Sequence, residues 1–235
     1  MSFIRRALVS GSLFSVGYFT FAEVWGGDKN SSLQSTNLND KQKLILSQLN
    51  ENEHFKSLLA NDNFIQNKYS SLIPKPHQKN YVSQGLLFGP NHLEIDPILF
   101  RDEKKGELIA IYHFGSNLVG NDNTIHCGLL STILDESLCT CGFPFLPSKR
   151  GVTARLSIKF NNEIILKSDS TIMLKANVRE FKGRKVIIDG YIETLDLQNA
   201  TNKKGNTIIA KAECILVEPK WFKYFNWVPV FEQAN

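Results

Sequence analysis

A chain of 235 residues suits one domain with appendages and is too short for two full ones. Hydrophobic residues make up 42% and charged residues 21%, so most of the chain has the composition of a folded protein. The net charge is +4, with 27 basic residues scattered among 23 acidic ones, which argues against nucleic acid but suits an anionic ligand. The four cysteines, Cys127, Cys139, Cys141 and Cys214, are too few for a disulfide scaffold. The pair Cys139–Thr140–Cys141 lacks the two-residue gap of a redox or zinc motif, so all four are read as reduced thiols. No metal and no cofactor is expected.

In chain order, residues 1–27 come first. Arg5 and Arg6 precede an uncharged run from Ala7 to Ala22, serines recur at 2, 10, 12 and 15, and no acid occurs before Glu23. This is the composition of a mitochondrial presequence. The uncharged run would extend about 24 Å as a helix, short of the ~30 Å of a bilayer core. Continuing to Trp25 includes only Glu23 and places an indole at the interface. A cleaved presequence, a retained transmembrane anchor and a secretory signal therefore compete. The expectation is a mitochondrial, membrane-associated protein with a retained anchor. Residues 28–80 read as a linker and helical extension. Gly26, Gly27 and the Asn- and Ser-rich stretch up to Asp40 are flexible in composition. Asp40 to Tyr69 is predicted helical and capped by Asp40, with Leu44, Leu46, Leu49, Phe55, Leu58 and Leu59 as its apolar side. Pro74 and Pro76 then interrupt it.

Residues 81–220 hold the predicted folded domain. Gly85–Phe88, Pro97–Phe100 and Glu107–His113 are short extended candidates. A buried helix runs from Ile125 to about Thr140, ended by Gly142 and Pro144. Four strands follow. In Val152–Phe160, residues 152, 154, 156, 158 and 160 are apolar and share one face. Thr171–Glu180 is joined to Arg184–Thr194 at Lys182–Gly183, and Thr207–Val217 follows a turn at Lys204–Gly205. The prediction is an α+β fold with one central helix and a four-strand meander. Residues 221–235 form an aromatic tail, read as packing on the domain or as touching a membrane surface.

The helix carries the chemistry. Leu129, Leu130, Ile133, Leu134 and Leu138 give it an apolar side, while Gly128, Ser131, Thr132, Asp135 and Cys139 form a stripe of small or polar residues. A carboxylate in the middle of an apolar helix is costly unless paired or functional. The helix start at Cys127 and Gly128 offers unpaired N–H groups and the positive end of the dipole, an oxyanion binder. Gly128 and Asp135 are seven residues apart, about 10.5 Å along the axis, too far to act on one carbonyl. Two antiparallel helices in a symmetric dimer would bring the start of one to the Asp of the other. Glu136 points about 100° away from Asp135 and reads as a salt-bridge partner. His113 reads as a core histidine. No nucleophile elbow, P-loop or dinucleotide fingerprint occurs.

The pattern His126-x-Gly128 followed by Asp135-Glu136 resembles the His-Gly-Gly…Asp signature of hotdog-fold acyl-CoA thioesterases. It looks most like the mitochondrial thioesterase superfamily-member type of animals and its fungal relatives. Gly151-Val152-Thr153-Ala154 and Phe181-Lys182-Gly183-Arg184-Lys185 continue the likeness, which spans roughly Ser83 to Pro219. It implies a hotdog fold, with a long central helix wrapped by an antiparallel sheet, in homodimers or dimers of dimers. It also implies hydrolysis of medium- or long-chain acyl-CoA. In that pattern Asp135 is the general base or nucleophile, Thr153 holds the water and His126 shapes the helix start. The N–H of Cys127 or Gly128 polarises the carbonyl. Lys159, Asn161, Arg184 and Lys185 are the candidates for coenzyme A, with a plain solvated hairpin as the other reading of the last two. The family's first Gly is Cys127 here, and its Asn before the His is matched only nearby, by Asn121 and Asn123. The alternative is a catalytically inactive member, acting as a membrane-anchored acyl-CoA-binding or assembly factor. A hydratase would want an Asp/His pair that the helix lacks.

Overall fold

The computed structural model describes residues 11–16, 38–73, 75–120, 122–161, 163–197 and 206–224. Most of the expected anchor at 1–27, the Lys204–Gly205 turn and the tail beyond residue 224 lie outside them. Residues 11–16 are helical. Among the described residues no helix is long and apolar enough to cross a membrane.

The expected single helix from Asp40 is two helices and a strand. Helix α1 is Asp40–Glu51, and its cap is Asn39 rather than Asp40. The Asn39 side chain accepts from Gln42 N at 2.7 Å, and Gln42 Oε1 accepts from Asn39 N at 3.0 Å, a reciprocal box that satisfies two end donors. Asn52 ends α1 in extended backbone, then caps α2, Glu53–Leu59, by accepting from the N–H of His54 and Phe55. Its amide also donates to Asp196 O, pinning the helix junction to the sheet. Ile45, Leu49, Phe55 and Leu58 face inward, whereas Leu44 and Leu59 point to solvent. Strand β1, Ile65–Lys68, follows and pairs with β2, Ile98–Asp102. The extended stretch expected at Gly85–Phe88 is largely a π-helical turn, Val82–Leu86, that buries Ser83 and Gln84.

Besides short helical turns, the elements that follow are β3 (Glu107–Phe114), α3 (Cys127–Gly142), β4 (Val152–Phe160), β5 (Ser170–Lys182), β6 (Lys185–Leu195) and β7 (Ile208–Val217). The described residues make a seven-stranded antiparallel sheet in the order β1-β2-β3-β5-β6-β7-β4. The four strands after the helix are therefore not one meander. β5, β6 and β7 are consecutive neighbours, and the β5–β6 turn is closed by Gly183 at φ 59°. β4 instead lies at the far edge beside β7, because a nine-residue connection from 161 to 169 carries the chain back to β5.

Helix α3 packs on one face of this sheet, the hotdog arrangement. Leu130, Ile133, Leu134 and Leu138 are buried against Tyr112, Leu174, Ile188 and Leu216. Gly190 permits the close approach: a Cβ there would stand 2.6 Å from Leu138 Cδ2 and 3.0 Å from Lys175 O. On the opposite face, α1 and α2 bury Ile45, Leu49, Phe55 and Leu58 against Ile98, Phe100, Ile111 and Met173. The extension thus shares the sheet with the helix-bearing domain. Leu49→Ala, at a fully buried position, should lower the stability of a single cooperative transition by about 2–5 kcal/mol. Urea unfolding followed by circular dichroism checks this; a separate early transition for the helices would contradict the shared core.

Candidate active site at the central helix

Asp135 sits midway along α3, half-buried, on the stripe of small residues. Ser131 and Thr132 turn their hydroxyls back onto the carbonyls of Cys127 and Gly128, so neither competes for the carboxylate. The partner of Asp135 comes from β4: Thr153 Oγ1 donates to Asp135 Oδ1 at 2.8 Å.

Simple alternation would have pointed Thr153 away from Leu156, Ile158 and Phe160. A β-bulge changes this. Thr153 pairs with Leu216 and Arg155 with Ile215, so Ala154 is an extra residue in β4. The bulge re-aims Thr153 onto the helix while Leu156, Ile158 and Phe160 keep packing against the core. Cys139, one turn beyond Asp135, brings its sulfur 3.2 Å from Thr153 Oγ1. Cys214 faces it from β7. The facing Cys214 thiol and burial push the Cys139 pKa up, while Cys139 holds the Cys214 pKa down against the upward push of burial. Asp135, Cys139 and Cys214 each bring one donor atom within 4.8 Å of the others.

The helix start is built by His126. It is the N-cap, in extended backbone at φ −65° and ψ 128°, and its Nδ1 accepts the Gly128 N–H at 3.0 Å. Gly128 must be small there, because a Cβ would lie 2.8 Å from that Nδ1. Of the two candidate oxyanion donors, Gly128 is therefore occupied. The Cys127 N–H meets no acceptor among the described residues, and its side chain is exposed.

The four residues read as coenzyme A contacts are not gathered within one chain. Lys185 is level with Val217 and Lys159 with Lys211, six residues apart on β7, about 20 Å. Arg184 donates to Glu218 O at 2.8 Å, closing the end of the sheet. The Asn161 side chain accepts from Glu163 N, and its backbone N–H donates to Ile209 O, as befits a residue that ends β4. Asn123 adopts φ 57° before the helix, and Asn121 lies outside the described residues. His113 is buried and pairs through Nδ1 with Thr171 Oγ1.

Among the described residues Glu136 is in no salt bridge. It turns inward beneath the segment 69–86, near Ser83, Tyr69, Tyr81 and Tyr112. Burial raises its pKa from 4.5 to about 6; Ser83 and Tyr69 pull the value back without matching burial. At Ser83 Oγ and Glu136 Oε2 the approach misses hydrogen-bond geometry, leaving both unpaired among the described residues. Beside it Tyr112 Oη and Ser137 Oγ form a buried pair at 2.9 Å. Sequence reasoning missed Cys214, Glu136 and the bulge. Only Cys214 carried a signal, the inward phase of Ala210, Ala212, Cys214 and Leu216.

The chain has the fold that the helix motif's resemblance implies, a long helix packed on one antiparallel sheet. It belongs to a family of fungal proteins that includes a mitochondrial protein of Candida albicans and MIOREX complex component 3 of Saccharomyces cerevisiae. The first is 47% identical over 217 residues, covering 92% of this chain and 94% of that protein. The second is 41% identical over 259 residues, covering 97% and 95%. No family model matches the chain. Among solved structures, the PaaI protein of the Escherichia coli phenylacetic acid degradation operon shares 16% identity. It covers 54% of this chain and 80% of that one, with a TM-score of 0.42. The acyl-CoA hydrolase of Staphylococcus aureus, in complex with butyryl coenzyme A, coenzyme A and coenzyme A disulfide, shares 15% over 49% and 67%, with a TM-score of 0.44.

The folded chain holds the Glu136 proton more tightly than the unfolded chain does. This contributes stability below about pH 4.5 that is lost as pH rises through about 6, some 2 kcal/mol in all. Glu136→Gln should flatten that part of the stability–pH curve and leave the protein more stable at pH 7. Denaturant midpoints from pH 4 to 8 measure it; an unchanged slope would contradict the buried acid.

Proposed function

We propose that the chain is an acyl-CoA thioesterase whose site is shared between two subunits of a dimer. The observation that carries this reading is the Thr153–Asp135 hydrogen bond at 2.8 Å, made by a strand residue that a β-bulge re-aims onto the helix. Asp135 is the general base or nucleophile, and Thr153 orients it and the attacking water. The Cys127 N–H of the other subunit, at the positive end of α3, receives the negative charge that develops on the thioester oxygen. His126 holds the helix start in shape by capping Gly128. Among the described residues β4, nine residues long and next to this site, is an edge strand on which a second copy can pair. In such a dimer Lys159, Asn161, Arg184 and Lys185 contact coenzyme A from two chains rather than one. Location in mitochondria, with attachment to a membrane through residues 1–27, completes the proposal. The acyl chain is of medium or long length.

A second reading is favoured by one comparison. The Saccharomyces relative is described as a component of a complex, which suits a hotdog protein that binds acyl-CoA or assembles with partners without turnover. Both readings are separated by thiol release from a panel of acyl-CoAs, acetyl to palmitoyl, by the full chain beside Asp135→Asn. The proposal expects hydrolysis that falls at least ~10²-fold in Asp135→Asn with folding and dimerisation intact. A folded dimer with no hydrolysis of any acyl-CoA would favour the assembly role, and full activity in Asp135→Asn would sink the mechanism.

A further inference from the structure

We infer that Asp135, Cys139 and Cys214 form a zinc(II) site, and that zinc bound there silences the hydrolytic centre. The binding stands on geometry alone; its effect on hydrolysis rests on the role proposed for Asp135.

Asp135 and Cys139 are four residues apart on α3 and share a face, while Cys214 is an inward position of β7 directly opposed to that face. Carboxylate oxygen and both sulfurs already lie within 4.8 Å of one another. Tetrahedral zinc, with Zn–S near 2.3 Å and Zn–O near 2.0 Å, sets such atoms about 3.5–3.8 Å apart, so a small closing of three side chains encloses the ion. Two thiols and one carboxylate are a donor set that selects zinc over magnesium or calcium, which want oxygen ligands. The three come from a helix and a strand fixed by the core, so the site needs no loop to order. Thr153 Oγ1 reaches Asp135 at 2.8 Å and Cys139 at 3.2 Å, and so orients two of the three ligands from outside. The hydrogen-bond partner of Asp135 is an uncharged hydroxyl, and no ion pair involves it among the described residues.

Binding replaces two thiol protons: one zinc ion joins two thiolates and one carboxylate, two protons are released, and water takes the fourth position. The lone pair that Asp135 would use on water is then committed to the metal. The site would thus make hydrolysis answer to the local supply of free zinc.

The full chain, reduced and freed of metal by a chelator, is titrated with Co²⁺ as a spectroscopic probe. We expect one Co²⁺ per chain, with a thiolate-to-cobalt charge-transfer band that Zn²⁺ displaces. The band should vanish in Cys139→Ser and in Cys214→Ser, each shown folded by circular dichroism. It should persist in Cys127→Ser, whose thiol is exposed, and Thr153→Val should weaken binding about 10- to 100-fold. No band in the folded protein, or a band that survives both Cys139→Ser and Cys214→Ser, overturns the site. Zinc should inhibit thiol release by the wild type and not by Cys214→Ser, and a chelator should restore it. Zinc bound with undiminished hydrolysis overturns the silencing. A metal-free chain that binds cobalt but hydrolyses nothing upholds the site and counts against the role given to Asp135.

Discussion

A carboxylate at the centre of an apolar helix has to find a partner, and Asp135 finds Thr153. Much of the local architecture serves this contact. The stripe of small residues on α3 leaves room beside the carboxylate, and the hydroxyls of Ser131 and Thr132 are spent on their own helix. The bulge at Ala154 turns one strand residue inward out of phase with its neighbours. Gly190 lets the helix lie close enough to the sheet for a short side chain such as Thr to reach across. Without the bulge, Thr153 would face away and the Asp would be left to water.

The two acids on the helix are separated by their surroundings. Asp135 lies on the open stripe with a hydroxyl donor. Glu136, one residue on, is turned under the segment carrying Tyr69, Tyr81 and Ser83, where burial favours its neutral form at mildly acidic pH. The same rotation of about 100° per residue that puts one carboxylate on the open stripe turns the other toward the core. The strap above Glu136 is held by its own geometry. Gly85 packs so tightly on Lys79 that a Cβ would lie 2.1 Å from its carbonyl oxygen.

The helix and the paired strands were legible because their periodicities are strong: apolar positions at 129, 130, 133, 134 and 138 of α3, and alternation through β6 and β7. Asp135 stood out as a charge out of place, and the resemblance drew attention to Thr153. Three things were not legible. Strand order depends on the length of the 161–169 connection and on long-range pairing, so β4 at the far edge could not be read locally. The helical extension misled because Asn52 both ends one helix and starts the next, and a single polar residue in a periodic stretch does not announce that. The coenzyme A candidates were chosen by position in a motif, and strand register then separates Lys159 from Lys185 by about 20 Å.

The central claim is that one subunit supplies the base and the other the oxyanion donor. Cys127 is the first residue of α3, where proline is well tolerated, and His126 before it is already extended, as proline requires. Cys127→Pro therefore removes the donor N–H and little else. Mixed with Asp135→Asn and allowed to exchange subunits, it gives hybrid dimers in which one site carries both defects and the other none. The measurement is acyl-CoA hydrolysis by the mixture against each variant alone. A shared site predicts two inactive variants and recovery to about a quarter of wild-type activity on mixing. Two inactive variants that stay inactive after verified exchange would contradict it.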